Sequence, residues 1–342
     1  MNNKAYKRLV ILNLVLVFLV IAAGAFVRMT GSGMGCPDWP KCFGYLIPPT
    51  ERAQLDWKSN YEYQKGQVII VDEVLRVVKD DFTSGQSYDS RFWEAYTKHD
   101  YANFNVYHTW IEFINRLLGA LAGLTTLLLL GASAIRWKQS KMNLTLSILI
   151  VLGMGFQAWL GKTVVDSNLL PIKITTHMAM ALLIVAFLVG IWHRVQQIEK
   201  PTTLQKHFLG LTVLALVLSS IQIGMGTQVR QFIDIQMHHW DLMQAERWLE
   251  NSPLVFYLHR SFSLIVLGVN TYLGWMLWKN KIHNPTLYWI VGCIGMEIIT
   301  GAAMYYFDFP LASQPIHLVL AAVLFATQFY ILLQQFTIKQ KQ

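Results

Sequence analysis

Residues 107–119 read YHTWIEFINRLLG and open a long apolar segment that nevertheless contains several polar and charged side chains. Ionisable groups inside a membrane helix cost about 2.5–3.5 kcal/mol each on insertion scales, so they usually mark a functional site. His108, Glu112 and Asn115 are spaced by four and three residues, which places them on one face of a helix. The stretch therefore predicts a membrane helix with a polar site along one side.

The rest of the chain has the composition of a membrane protein. Of its 342 residues, 54% are hydrophobic and only 14% are charged. A helix needs about 20 apolar residues to cross the hydrocarbon core of a bilayer. Such runs are predicted at about 9–28, 107–135, 144–164, 172–192, 208–228, 254–278, 286–306 and 311–333. The predicted fold class is an all-α membrane protein with eight transmembrane helices.

The net charge of +8 does not indicate nucleic-acid binding, because the basic residues are placed asymmetrically. Lysine and arginine cluster before span one and after spans two, four, six and eight. Cytoplasmic connections carry such an excess, so both termini are predicted to be cytoplasmic. Span one shows no cleavage motif, and no arginine-rich transit sequence precedes it. We therefore expect a multi-pass protein of a bacterial plasma membrane, surrounded by lipid.

A long polar segment, residues 34–105, connects spans one and two on the outer side. Its stretch QVIIVDEVLRVV fits either a strand or an amphipathic helix, and we expect a small folded cap here. Cys36 and Cys42 lie near its beginning, in GCPDWPKCFG. The outer compartment of bacteria is oxidising, which favours a disulfide or redox pair over a metal site or two free thiols.

The second half of the chain repeats the first, and the matches keep the same order. The matched pairs are GAFVR at 24–28 with GTQVR at 226–230, EFINR at 112–116 with FYLHR at 256–260, Gly161 with Gly301, and His177 with His317. We therefore predict two four-helix bundles related by pseudo-symmetry about an axis along the membrane normal. The bundles are residues 1–192, including the outer segment, and residues 208–342, and a cytoplasmic linker at 193–207 joins them.

Three histidines are predicted to lie at similar depth below the outer surface. His177, His259 and His317 each follow a proline by six or seven residues, so about 1.5 Å per residue places them about 9–10 Å deep. The prolines, Pro171, Pro253 and Pro310, are interpreted as helix starts. Two imidazoles facing each other across a four-helix bundle suit a six-coordinate haem iron.

The two predicted sites differ in their ligands. His259 and His317 form a complete histidine pair in the second half. In the first half the partner of His177 is Asn115, whose amide is a poor iron ligand.

Arginines near these positions are candidates for haem propionates, because guanidinium binds carboxylates through two hydrogen bonds. The candidates are Arg28, Arg116, Arg230 and Arg260. Interfacial snorkelling is the alternative, chiefly for Arg28 and Arg230. Glu297 in span seven matches Gln157 in span three, and both are interpreted as interhelical hydrogen-bonding groups.

These motifs together resemble the haem A synthase family. The resemblance rests on TGSGMGCPDWPKCFG after span one, IEFINRLLG in span two, TTHMAMALL in span four, YLHRSFSLIVLG in span six and PIHLVLAAVLF in span eight. It covers all eight spans but not most of residues 45–105. It implies an enzyme that oxidises the C8 methyl group of haem O to a formyl group, giving haem A for terminal oxidases. The resemblance also implies a haem b cofactor in the second half and the substrate haem in the first.

Carried onto this sequence, the resemblance assigns His259 and His317 as axial ligands of haem b. Glu112 becomes the acidic group beside the substrate, where a carboxylate can take up protons or stabilise positive charge. A structural ion pair between Glu112 and Arg116 is the alternative. Cys36 and Cys42 become the outer cysteine pair of the family.

The substrate side departs from the family pattern. His177 becomes a ligand or neighbour of the substrate haem, but the family usually has histidine where this chain has Asn115. His108 lies two turns nearer the outer surface, about 10 Å away, and is expected to bind a shifted haem, contact its edge or assist Glu112. An interfacial histidine is the alternative. Residues 229–253 lack the second cysteine pair that some members have.

The family function implies a farnesyltransferase that supplies haem O and a haem–copper oxidase assembly that receives haem A; homo-oligomerisation is left open.

Two other functions explain part of the pattern. A bis-histidine electron-transfer cytochrome accounts for His259 and His317 but gives Glu112 no role. A transporter built from repeats accounts for the symmetry, although its site would lie near the bilayer midplane.

Overall fold

The computed structural model describes residues 2–97, 104–166, 171–196, 206–240, 242–279 and 286–339. Its eight long helices are α1 Asn3–Met29, α2 Val106–Ile135, α3 Lys141–Asp166, α4 Pro171–Gln196, α5 Lys206–Trp240, α6 Leu254–Lys279, α7 Thr286–Tyr306 and α8 Ser313–Lys339. Each is long and apolar enough to cross a membrane. The predicted fold class, with eight transmembrane helices, is confirmed for the described residues.

Helix α5 is longer than its predicted span. The prediction ended at residue 228, but the helix continues to Trp240. Ile233 and Met237, four residues apart, are buried against Trp248. This apolar stripe gives the helix a packed face beyond the predicted end of the span.

One of the three prolines does not mark a helix start. α4 begins at Pro171 and α6 begins directly after Pro253. α8 begins at Ser313, three residues after Pro310, because Ala312 has a φ of 68° and ends a turn there. A residue in this left-handed conformation cannot belong to a helix, so the start of α8 is delayed.

The helices pack as two groups of four. α1 and α3 each contact α2 and α4, and α5 and α7 each contact α6 and α8. These side-by-side contacts place α2 diagonally opposite α4, and α6 diagonally opposite α8. The groups meet through α1, α4, α5 and α8. The arrangement is consistent with the predicted repeat, whereas the symmetry axis and the bundle boundaries stay predictions.

The largest hydrophobic cluster lies where the two groups meet. Ile184, Leu188 and Ile191 follow one face of α4 and are fully buried. Ala322 and Ala326 of α8 join the same cluster, and small residues at these positions let the two helices approach closely. The predicted linker at 193–207 begins in α4 and ends in α5, and its residues 197–205 lie outside the described part of the chain.

The outer segment folds into short antiparallel strands. They are β1 Glu62–Tyr63, β2 Val68–Val71, β3 Val74–Val78, β4 Phe82–Thr83 and β5 Trp93–Ala95. β1 pairs with β4, and the other three form a sheet in the order β2-β3-β5. QVIIVDEVLRVV is thus a hairpin, whose two turn residues Asp72 and Glu73 have φ values of 51° and 54°. The expected folded cap is confirmed.

A buried amide network connects helices of the second group. Gln328 of α8 is fully buried, and its Nε2 donates to Ser219 Oγ of α5 and Asn270 Oδ1 of α6, each at 2.9 Å. No water is available within the hydrocarbon core of a bilayer, so these side chains satisfy one another's hydrogen-bonding groups.

We expect Gln328→Leu to destabilise the protein by about 1 kcal/mol, because it leaves two buried polar groups without their partner. The measurement is the apparent melting temperature of the detergent-purified protein. Thr327→Val is the matched control, since the Thr327 hydroxyl donates to the carbonyl of Val323 within α8 and has no other partner among the described residues. Equal losses in the two variants would contradict a stabilising network.

Candidate functional site

In the second group, each predicted ligand packs against a glycine of the preceding helix. A Cβ atom built on Gly226 of α5 would lie 3.1 Å from Cε1 of His259 in α6. A Cβ atom built on Gly301 of α7 would lie 3.7 Å from Cε1 of His317 in α8. Glycine therefore lets the helix backbone lie directly against the imidazole.

The first group repeats both contacts. A Cβ atom on Gly161 of α3 would lie 3.8 Å from Nε2 of His177 in α4. A Cβ atom on Gly24 of α1 would lie 3.9 Å from Oδ1 of Asn115 in α2. The sequence repeat matched glycine with glycine and ligand position with ligand position between the two halves. The structure shows that, within each half, each of these glycines lies against the side chain at a ligand position.

The three predicted histidines lie near the beginnings of their helices. His177, His259 and His317 follow the first residues of α4, α6 and α8 by six, five and four residues. At about 1.5 Å per residue, their depths differ by about 3 Å along the helix axes.

His317 is held by two polar groups of α7. Its Nδ1 lies 2.7 Å from Oε2 of Glu297 and 2.9 Å from the Thr300 hydroxyl. With Nδ1 engaged, Nε2 is the ring nitrogen that remains for another partner. Glu297 was interpreted from sequence as an interhelical hydrogen-bonding group, and its partner on the neighbouring helix is the His317 imidazole.

His259 is fixed through its backbone. Gln222 of α5 donates Nε2–H to the His259 carbonyl at 3.0 Å, while Nδ1 of His259 has no hydrogen-bond partner among the described residues. No cluster of three metal-ligating side chains occurs in the described ranges. Two imidazoles on diagonal helices fit a haem iron.

Glu112 is buried, with 4% of its surface exposed, and it is bound on two sides. Its Oε2 accepts the backbone N–H of Cys36 at 2.8 Å, and its Oε1 pairs with Arg116. Nearby, the Thr109 hydroxyl donates to the carbonyl of Gly35 at 2.8 Å. The site thus forms where the loop after α1 lies on the N-terminal half of α2.

Gly35 is required for this close approach of loop and helix. A Cβ atom at Gly35 would collide with the backbone of His108 and Thr109. Any other residue would push the loop, and the N–H that Glu112 accepts, away from α2.

Arg116 binds the loop between the two cysteines. Its Nη1 donates to the carbonyls of Asp38 at 2.6 Å and Lys41 at 3.0 Å. Its Nη2 donates to the carbonyl of Cys36 at 3.2 Å, and Nη2 and Nε both donate to Glu112. These contacts use all five N–H groups of the guanidinium. The side chain thus ties the loop to α2, while the propionate role of Arg116 stays a prediction that these contacts do not test.

The loop is closed by a disulfide between Cys36 and Cys42, as predicted. Both cysteines are fully buried. Asp38, within the loop, accepts the backbone N–H of Gly44 at 2.8 Å. Burial raises the pKa of the Asp38 carboxyl above its ordinary value, although the hydrogen bond from Gly44 opposes this.

Arg28 and Arg230 meet at an aspartate that sequence reasoning missed. Asp234 of α5 pairs with Arg28 of α1 and, at 2.7 Å, with Arg230. Arg230 also donates to the backbone carbonyl of Arg28 at 2.7 Å, and its Nη1 has no hydrogen-bond partner in the part of the chain described. The i, i+4 spacing of Arg230 and Asp234 was visible, but Asp234 lay beyond the predicted span.

The structure does not bring Arg260 and His108 together with every other predicted site residue. Arg260 is exposed, with its guanidinium 4.6 Å from the ring centroid of Tyr305. His108 lies seven residues before Asn115, about 10 Å away along α2. Within the described ranges, His108 Nδ1 and Asn115 Oδ1 are both buried without a hydrogen-bond partner.

The family model described as cytochrome oxidase assembly protein, COX15-CtaA, matches residues 7–82 and 85–329. The chain belongs to the COX15-CtaA family. A protein named heme A synthase from Flavobacterium psychrophilum is 24% identical, over 97% of this chain and 98% of the relative. Another of that name from Wolbachia pipientis wMel is 25% identical, over 93% and 89%. The family resemblance stated from the motifs is thereby confirmed, and the COX15-CtaA match includes both helix groups and much of the outer segment.

We expect Gly226→Val to remove most of the bound haem from this COX15-CtaA protein, because the new side chain would occupy the place of the His259 ring. Gly224→Val is the matched control on the same helix, where an added Cβ meets nothing within 4 Å. The measurement is haem bound per purified protein, by pyridine haemochrome. Equal haem content in the two variants would contradict a ligand role for His259.

We expect Arg116→Gln to loosen the disulfide loop, because three carbonyls lose their donor and Glu112 is left as an unpaired buried charge. Breaking such a pair costs about 3–5 kcal/mol. Hydrogen exchange of residues 35–44 should accelerate. Arg260→Gln, a change at an exposed arginine, should leave that exchange unaltered. Unchanged protection in Arg116→Gln would show that the loop is held by other contacts.

Proposed function

We propose that the protein is a haem A synthase that oxidises the C8 methyl group of haem O to a formyl group. The observation that carries the proposal is the difference between the two helix groups. One presents the pair His259 and His317, and the other presents a buried carboxylate, Glu112, on the same helix face as Asn115. Relatives named heme A synthase that align along nearly the whole chain support the same function.

We assign haem b to the second helix group, with His259 and His317 as axial ligands. When bound, haem b supplies one-electron transfer. Neighbouring side chains position both ligands. Glu297 and Thr300 fix the His317 ring through Nδ1, and Gln222 fixes the backbone of His259. A carboxylate on the second ring nitrogen also raises the basicity of a ligating imidazole.

The first helix group is assigned to the substrate haem O, with His177 as its ligand. Gln157 of α3 donates to the His177 carbonyl at 3.0 Å and so fixes the backbone from which the imidazole projects. Asn115 projects from α2, the helix diagonal to α4. His108 is assigned to the outer rim of the pocket, and Arg28 and Arg230 to its propionates. Nη1 of Arg230, which carries two N–H groups, has no hydrogen-bond partner among the described residues and is available for such a contact.

Glu112 is assigned as the catalytic carboxylate. Oxidation of a methyl group to a formyl group removes electrons and protons from the carbon and adds one oxygen atom. A nearby carboxylate can accept these protons, orient a water molecule and stabilise positive charge on the carbon. The N–H of Cys36 and the guanidinium of Arg116 keep Glu112 in one position, so its orientation is set before the substrate binds.

The location of the sites follows from the predicted topology. With cytoplasmic termini, the starts of α4, α6 and α8 face the outer side of a bacterial plasma membrane, and so does the disulfide loop. Haem O and haem A are both poorly soluble in water. A membrane farnesyltransferase is therefore assigned as the supplier and an oxidase assembly as the acceptor, in line with the family description.

We expect Glu112→Gln to keep haem b bound but to lower haem A formation by about 10²-fold or more, the range for loss of a general acid–base group. Haems extracted from membranes of cells supplied with haem O are separated and quantified. Glu94→Gln, an exposed carboxylate on β5, is the control and should retain activity.

Two outcomes would contradict the assignment. Undiminished haem A from Glu112→Gln would leave the Glu112–Arg116 pair a structural role only. Haem b without any haem A from the unaltered protein would favour the electron-transfer cytochrome.

A further inference from the structure

We infer that the first helix group binds its substrate haem through one axial histidine, His177, and leaves the opposite side of the iron without a protein nitrogen. Asn115 occupies that side. The inference rests on the proposed function and specifies how the substrate pocket differs from the haem b site.

The first step is the equivalence of Asn115 and His259. Both project from the second helix of their group, and both precede an arginine, Arg116 or Arg260. Each lies against a glycine of the preceding helix, Asn115 on Gly24 and His259 on Gly226. Asn115 therefore stands at the ligand position of its group.

The second step is the chemistry of the amide. Imidazole nitrogen is a good ligand for iron, whereas a neutral carbonyl oxygen suits harder ions such as magnesium and calcium. The amide nitrogen of asparagine carries two N–H donors and has no lone pair to give. His177 is thus the only imidazole at the two ligand positions of the first group.

The third step concerns the neighbours that could replace the ligand. His108 lies about 10 Å farther out along α2, and its backbone is in contact with Gly35 of the loop, so the chain fixes it there. Both carboxylate oxygens of Glu112 are engaged, with Cys36 N–H and Arg116. Neither side chain is placed to occupy the position of Asn115.

The fourth step is the amide itself. Asn115 Oδ1 is buried and has no hydrogen-bond partner among the described residues. A buried carbonyl in that state is unfavourable until a ligand donates a hydrogen bond to it. A small molecule on the open side of the iron, such as water, can donate a hydrogen bond to this oxygen.

An open axial position suits a substrate that must leave as product. The haem b site retains two histidines and holds its cofactor permanently. One iron–nitrogen bond fewer makes exchange of the substrate haem easier, while Asn115 preserves the volume and polarity of the position. The two groups thus use one architecture for a fixed haem and an exchangeable haem.

The test loads the haem b-containing protein with haem O and records absorption and electron paramagnetic resonance spectra. We expect one high-spin haem per bound haem O, which binds carbon monoxide after reduction, beside a low-spin haem b that does not. Asn115→His should abolish the high-spin signal and carbon monoxide binding, and should slow haem O transfer to apomyoglobin by about tenfold. Ile114→His adds a histidine at an exposed neighbouring position of α2 and should leave the signal unaltered.

His177→Ala should abolish stoichiometric haem O binding. The outcomes separate the two proposals. Low-spin haem O in the unaltered protein would overturn the one-histidine site and leave the proposed function standing. If Asn115→His does not fold, the spectrum of the unaltered protein is by itself sufficient to test the inference. Retained haem O binding in His177→Ala would also overturn it. Failure of the unaltered protein to bind haem O would overturn the proposed function together with the inference.

Discussion

The contact between a helix glycine and the side chain at each ligand position is the constraint on which the site depends. Four such contacts occur, and each joins an odd-numbered helix to the even-numbered helix that follows it. A larger residue at Gly226 would force the His259 ring, or the whole of α6, away from α5. Contacts of α5 and α7 with both α6 and α8 keep the helices that carry His259 and His317 in one group, and the shared core of α1, α4 and α8 holds the two groups together.

The substrate side depends on a second, electrostatic constraint. A buried carboxylate without a partner costs several kcal/mol, so Glu112 is stable only while Arg116 and the N–H of Cys36 remain beside it. Arg116 in turn is held by carbonyls of the disulfide loop. The disulfide loop, Arg116 and Glu112 therefore form one unit, in which substitution of any member displaces the others. Arg116 is therefore part of the structure of the loop.

Much of this arrangement could be predicted from the sequence. Hydropathy located all eight helices, because a bilayer-spanning run is a strong signal, and the internal repeat identified Gly24, Gly226, Asn115 and His259 as equivalent pairs. The ion pair of Arg116 with Glu112 was anticipated from their spacing, whereas the carbonyl partners of Arg116 could not be predicted, since backbone carbonyls leave no pattern in the side chains. Asp234 was missed because α5 continues past its hydrophobic span on a narrow buried stripe. The hairpin at residues 68–78 stayed ambiguous because its apolar run fits two periodicities.

An experimental structure of the protein loaded with haem O would test the central claim, that one fold holds a fixed cofactor haem and a reactive substrate haem, most directly. We expect one haem between His259 and His317 and a second haem bound by His177. The C8 methyl group of the second should face Glu112, within direct contact or one bridging water. A haem in the first group whose methyl edge points away from Glu112, or no haem there at all, would contradict the account.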